Sequence, residues 1–200
     1  FKGVGKMFEC FDGLRVGLAV TGSFCTHRNV AAVADNLVKR GAIVYPILSY
    51  SASETSTRFM TREELHDTLV RITGHEPICT IKEAEPIGPK KLLDVVVVVP
   101  CTGNTISKLA NAITDTPVLM ACKSHLRNNR PVVIAVSTND GLSGNARNIG
   151  TLLAMKNYYF VPFRQDDSVK KPFSLVADFS LVNETVACAL DGIQIQPILL

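Results

Sequence analysis

Much is missing from this 200-residue chain, and each absence closes off a class of function. Its cysteines, Cys10, Cys25, Cys79, Cys101, Cys122 and Cys188, form no Cys-x-x-Cys pair and no Cys/His spacing of a metal site, so the reading is one of reduced, packed thiols. The longest apolar run, around Val95–Val99, falls far short of the roughly 20 residues that a bilayer crossing needs. Residues 1–13 carry no apolar stretch of the signal-peptide kind. A net charge of +3, with basic residues scattered and not interleaved with aromatics, argues against nucleic acid as a partner. There is no Gly-x-Gly-x-x-Gly loop and no P-loop lysine, which disfavours a common dinucleotide fold and an NTPase. Nor is a Ser–His–Asp arrangement present. His27, His66, His75 and His125 have no patterned partner and read as surface groups, and the carboxylate pairs Glu63–Glu64 and Asp166–Asp167 diverge because they are adjacent.

What remains is a globular chain, 46% hydrophobic and 20% charged, in which strands and helices alternate. Leu14–Val20, Ala42–Leu48, Asp94–Val99, Pro131–Val136 and Tyr158–Val161 read as strands. Thr26–Arg40, Thr61–Arg71, Asn104–Ile113, Pro117–Arg127, Asn145–Lys156 and Leu181–Asp191 read as helices. Thr61 and Glu64 make a capping box, and Gly41, Gly74 and Gly192 are stop signals. Ser49–Phe59, Glu85–Lys91 and Arg164–Pro172 read as loops. The expectation is an α/β fold: one domain over residues 1–200, with residues 1–13 as an extension, built on a doubly wound, mostly parallel, Rossmann-like sheet.

The run Asp94–Val99 carries the most information. A continuous β-branched stretch fits a strand buried on both faces, hence a central strand of a parallel sheet, and Pro100 reads as its end. In such sheets ligands bind beyond the carboxyl ends of the strands, where helix N-termini present free N–H groups. Thr21–Gly22–Ser23 and Thr26 follow the first strand; Ser49, Ser51, Ser53, Thr55, Ser56 and Thr57 follow the second. Thr102, Gly103, Asn104 and Thr105 follow the central strand, and Ser137–Thr138–Asn139–Asp140–Gly141 follows the next. Each cluster can be read as helix capping. Their recurrence at four strand ends favours one shared site, rich in uncharged contacts for a phosphate or a ring and poor in acid–base groups. That pattern suits a cofactor that brings its own reactivity.

The motif Pro100–Cys101–Thr102–Gly103–Asn104–Thr105, with Gly22–Ser23 at the first strand's end, resembles the homo-oligomeric flavin-containing cysteine decarboxylase superfamily, whose corresponding segment is Pro-Ala-Ser-Ala-Asn-Thr. The resemblance implies a flavoprotein-type fold and FMN held by Gly22, Ser23, Ser49, Thr57, Thr102, Gly103, Asn104 and Thr105, with Asn104 as the candidate catalytic residue. Two departures argue against decarboxylation. The family's Pro-x-Met-Asn-x-x-Met-Trp clamp is here Val136–Ser137–Thr138–Asn139–Asp140–Gly141–Leu142–Ser143, and no histidine precedes the central strand in 86–94. Further motifs, Lys82–Lys90, Arg127–Pro131 and Gln165–Pro172, narrow the resemblance to the B subunits of enzymes that oxidise dihydrodipicolinate to dipicolinate in sporulating bacteria. That branch implies an A subunit carrying NADP, a cytoplasmic location in the mother cell and a dicarboxylate substrate, and the superfamily implies self-assembly. A dicarboxylate needs cations or anion-binding groups, for which Asn139, Arg127, Lys170 and Lys171, with Arg130, are candidates, each cation also readable as a solvated surface group. A non-catalytic subunit that binds nucleotide or substrate and stabilises the A subunit is the alternative; an FMN-dependent decarboxylase ranks last.

Overall fold

The valine run folds as the sequence predicts. In the computed structural model, which describes residues 10–200, β3 (Val95–Cys101) is buried along its whole length. It lies between β1 (Arg15–Val20) and β4 (Val132–Thr138), parallel to both, and β2 (Ile43–Leu48) pairs parallel with β1 on the far side. A strand flanked on both edges and covered on both faces can present only apolar side chains without stranding polar groups. β3 runs through Pro100 instead of ending there, and its register with β4 shifts between Val98 and Cys101. Proline has no N–H for a ladder, so a central strand accommodates it at such an irregularity. Cys101 is therefore a buried strand residue and not part of the loop.

Helices α1 (His27–Lys39), α3 (Arg62–Thr73), α5 (Gly103–Ala110), α6 (Pro117–Leu126), α7 (Ala146–Ala154) and α8 (Val182–Leu190) match the predicted helical segments. The Thr61–Glu64 capping box forms, and Gly74 ends α3 in the left-handed conformation at φ +72°. Two short helices were not expected, one inside the loop Ser49–Phe59 and one just before the loop Glu85–Lys91. α2 (Tyr50–Glu54) takes up the first half of the Ser/Thr stretch, capped by Ser49, and α4 (Ile81–Ala84) starts at a Thr80–Glu83 capping box.

The main departure lies beyond β4. The expected charged loop is an antiparallel hairpin, β6 (Phe163–Asp167) and β7 (Lys171–Ala177). The sheet forks at β4: Val132–Ile134 pair parallel with β5 (Tyr158–Phe160), whereas Ser137 and Thr138 pair antiparallel with β7. The order is β2-β1-β3-β4-β7-β6 with β5 beside β4. The fork raises the hairpin as a wall above the carboxyl end of the sheet. Two further expectations change. His27 is 3% exposed and His125 1% exposed, so neither is a surface group. His27 opens α1 with its ring donating from Nε2 to the Thr21 carbonyl (2.8 Å), and His125 packs near the amino end of β4, bonding the Pro131 carbonyl (3.1 Å).

Candidate functional site

The carboxyl ends of β1 to β4 open onto two adjoining clefts that share Gly22, Thr102 and Asn104. The smaller, about 400 Å³, is walled mainly by hydroxyl groups: Thr21, Ser49, Ser51, Thr102, Thr105 and Thr116. Its one cation, Lys108, is paired with Asp115 at 2.7 Å. The larger, about 980 Å³, carries Ser23, Gly103, Asn139 and Asp140 from the strand ends, and Arg164, Asp166, Lys171 and Ser174 from the hairpin.

The loops are tied together before any ligand arrives. Thr21 Oγ1 donates to the Pro100 carbonyl (2.7 Å) and accepts from the Thr102 amide (3.1 Å), joining the first loop to the third. Ser23 and Ser137 share a hydroxyl–hydroxyl bond of 2.8 Å, joining the first to the fourth. Two glycines permit close approach. A Cβ on Gly22 would sit 3.0 Å from Ser51 Cβ, and one on Gly103 would fall 2.5 Å from both Thr138 Oγ1 and Asn145 Nδ2. Behind Gly103 runs a chain of polar side chains: Asn148 Nδ2 donates to Asn145 Oδ1 (2.9 Å), Asn145 Nδ2 to Asp140 Oδ2 (2.8 Å), and Thr138 Oγ1 to Asp140 Oδ1 (2.5 Å).

Thr102 is the N-cap of α5, its Oγ1 accepting from the Thr105 amide. Asn104, the second residue of the helix, is thus not the cap; its side chain is exposed and lines both clefts. Burial lowers the His27 pKa, and its bond to Thr21 only partly offsets this, so the ring is a neutral strut for the first loop. Burial also raises the thiols, Cys101 well above the usual range and Cys122 to about 12, which leaves neither as a nucleophile. The side chain of Cys25, and residues 1–9 of the expected extension, lie outside the described residues. Among the described residues no His, Cys, Asp and Glu cluster is placed to hold a metal, and no helix is long and apolar enough to cross a membrane.

The fold therefore gathers Gly22, Ser23, Ser49, Thr102, Gly103, Asn104, Thr105, Asn139 and Lys171 around two joined clefts. It does not bring Thr57, Arg127 or Lys170 there. Thr57 lies beyond α2 and closes its own turn, bonding Met60 O and Phe59 N. Arg127 follows α6 beside Gly88, towards the amino end of β4, as does Arg130, which bonds Asp94 and the Leu93 carbonyl. Lys170 sits at the outward tip of the hairpin, its amide bonded to Asp167. The sequence does not signal Arg164, which reads as part of a charged loop, or Ser174, which lies beyond that loop in a stretch without a clear pattern.

A doubly wound sheet with a cleft where its strand order reverses, between β1 and β3, defines a broad class of nucleotide- and flavin-binding folds. A family model described as Flavoprotein matches residues 7–170. The B subunit of dipicolinate synthase from Bacillus subtilis (strain 168) is 48% identical over 187 residues, 94% of each chain. The crystal structure of the corresponding B subunit of dipicolinate synthase from Bacillus halodurans superposes with a TM-score of 0.88 at 45% identity, covering 96% of this chain and 98% of that one. An FMN-dependent cysteine decarboxylase shares the fold at a TM-score of 0.67 and 20% identity, over 88% of this chain and 97% of its own. The chain belongs to the flavoprotein family, in the branch of the dipicolinate synthase B subunits.

Proposed function

We propose that this chain is an oxidoreductase subunit that works with an NADP-carrying A subunit to oxidise dihydrodipicolinate to dipicolinate, in the cytoplasm of the mother cell of a sporulating bacterium. The observation that supports it most is the meeting of four strand-end loops on two joined clefts, in a chain 48% identical to a dipicolinate synthase B subunit.

The clefts fit FMN by the chemistry of their donors. A phosphate and a polyhydroxyl chain need N–H and O–H groups without bulk, and the smaller cleft offers Ser49, Ser51, Thr102 and Thr105 beside Gly22, whose missing Cβ leaves room against Ser51. Gly22, Ser23, Ser49, Thr102, Gly103, Asn104 and Thr105 would hold the cofactor. When bound, FMN supplies a two-electron acceptor, the chemistry that this set of side chains lacks. The larger cleft would take the dicarboxylate. Asn139 offers an amide to a carboxylate or ring edge, and Arg164 and Lys171 offer charge, Lys171 already carrying Asp166 at 2.6 Å. The chain would self-associate, as the resemblance implies.

The test is reconstitution: the A subunit is assayed for NADP-linked dihydrodipicolinate oxidation with and without this chain. The proposal expects activity to require both. An A subunit equally fast alone would show that the chain is not catalytic.

A further inference from the structure

Asp140 is a carboxylate with a built seat and open acceptor sites. It lies half-buried in the larger cleft, one residue beyond Asn139, and a Cβ on Gly103 would fall 2.7 Å from its Oδ1. Each carboxylate oxygen takes one fixed hydrogen bond, from Thr138 Oγ1 (2.5 Å) and from Asn145 Nδ2 (2.8 Å). A carboxylate has about four acceptor sites, so roughly half of its capacity remains for a group in the cleft. Its donors are themselves held. Asn145 is 6% exposed and anchored by Asn148, also 6% exposed. The main chain adds to the seat, with the Asn145 and Ser143 amides both bonding the Asp140 carbonyl.

Among the other bases near this end of the sheet, His27 is tied to Thr21 O and Asp166 pairs with Lys171. Asp178 accepts the Ser180 amide and hydroxyl on a single oxygen, Oδ1, so its carboxylate is seated on one side only, unlike that of Asp140. Aromatising a dihydropyridine ring removes two hydrogens: one leaves as hydride with its electron pair, and the other leaves as a proton. The hydride would be taken by a two-electron acceptor, a bound flavin or the A subunit's nicotinamide. The proton needs a base within hydrogen-bond reach. Resting on the functional reading above, we propose that Asp140 is that base: its carboxylate takes the ring proton as the second C–H bond breaks and the ring double bond forms, becoming the neutral acid, which then gives the proton to water.

The network also supplies a clean variant. In Asp140→Asn the new amide faces the Asn145 amide, and flips of Asn145 and Asn148 restore a donor and an acceptor at each link. The fold and the clefts should persist. The experiment uses the reconstituted A–B pair with D140N and D140A, in sodium chloride or in sodium formate at matched ionic strength. The expected result for D140N is a kcat at least ~100-fold lower, a KM within about threefold, and unchanged flavin absorbance and melting temperature. In D140A, formate should enter the vacated seat between Thr138 and Asn145 and raise kcat at least about tenfold over chloride. A D140N pair within threefold of wild-type kcat would overturn the proposal. So would D140A whose loss formate does not restore, since Asp140 would then be a strut of the network. A wild-type pair that does not oxidise dihydrodipicolinate would overturn the functional reading and this inference with it; the first two results would overturn the inference alone.

Discussion

Substituting Gly103 with alanine tests the packing of the candidate site in a way that its chemistry cannot obscure. A methyl group there would lie 2.5 Å from Thr138 Oγ1 and Asn145 Nδ2 and 2.7 Å from Asp140 Oδ1. None of these is the free end of a flexible chain; all belong to the hydrogen-bonded row behind α5. Making room costs about 1–3 kcal/mol of overpacking. Disturbing the bonds to Asp140 adds about 1 kcal/mol for each one lost. Alanine in a helix returns at most ~1 kcal/mol. The balance is a loss of roughly 1–4 kcal/mol, or about 2–16 °C in melting temperature for a chain of this size. Gly150 is the control. It lies in α7, exposed, with nothing within 4 Å of its would-be Cβ. There the same substitution should stabilise by up to ~1 kcal/mol. Thermal unfolding followed by circular dichroism reads both. If Gly103→Ala melted at or above the wild-type temperature, the polar row would not be packed against α5, and the geometry of the larger cleft would need another account.

Three further outcomes are expected. Asn104→Ala should lower turnover by the A–B pair at least tenfold, about 1.4 kcal/mol, while stability moves by no more than ~0.5 kcal/mol, because Thr102 and not Asn104 caps α5; lost stability with normal turnover would remove Asn104 from the site. Arg164→Gln should raise the KM for the dicarboxylate about tenfold whereas Arg127→Gln leaves it unchanged, in keeping with their places inside and away from the cleft, and equal effects would contradict that division. Burial, with a smaller contribution from nearby Arg130, pushes the His125 pKa from 6.5 to about 4, so the unfolded chain takes up a proton that the fold refuses. Stability from this group is complete above pH 6.5 and is lost as the pH falls towards 4, by about 1.4 kcal/mol per pH unit, with His27 shifted in the same direction; denaturant melts across that range should show the slope, and a His125→Gln variant should flatten it.

The parts of the fold that were legible are those where one physical signal dominates. Five consecutive valines allow little but a buried central strand, and the Thr61–Glu64 box followed by Gly74 brackets α3 almost to the residue. The clefts were legible for the same reason: polar clusters after parallel strands converge wherever the strands run side by side. The hairpin β6–β7 was not. Its strands contain Arg164, Gln165, Asp166, Asp167, Lys171 and Pro172, a polar stretch without the alternation that marks a half-buried strand, because most of it rises clear of the sheet with water on both sides. Ser137 and Thr138 of β4, the Leu142 amide on the Phe173 carbonyl and the bridge from Leu199 to Phe163 tie it down, tertiary contacts with no local signature. Missing the hairpin meant missing Arg164 and Ser174. α2 was hidden by serines that read as loop, although Ser49 acts as its cap. His27 and His125 looked like surface groups because their partners are backbone carbonyls, at Thr21 and Pro131, which any sequence could supply.

The claim that the clefts at the strand ends form a flavin site is tested most directly by the visible spectrum of the purified chain, incubated with FMN and then freed of excess cofactor. The account predicts a flavin band near 450 nm amounting to about one equivalent per chain, and a fall in that band when Gly22, whose missing Cβ leaves room beside Ser51, is replaced by valine. A colourless protein after incubation would contradict it.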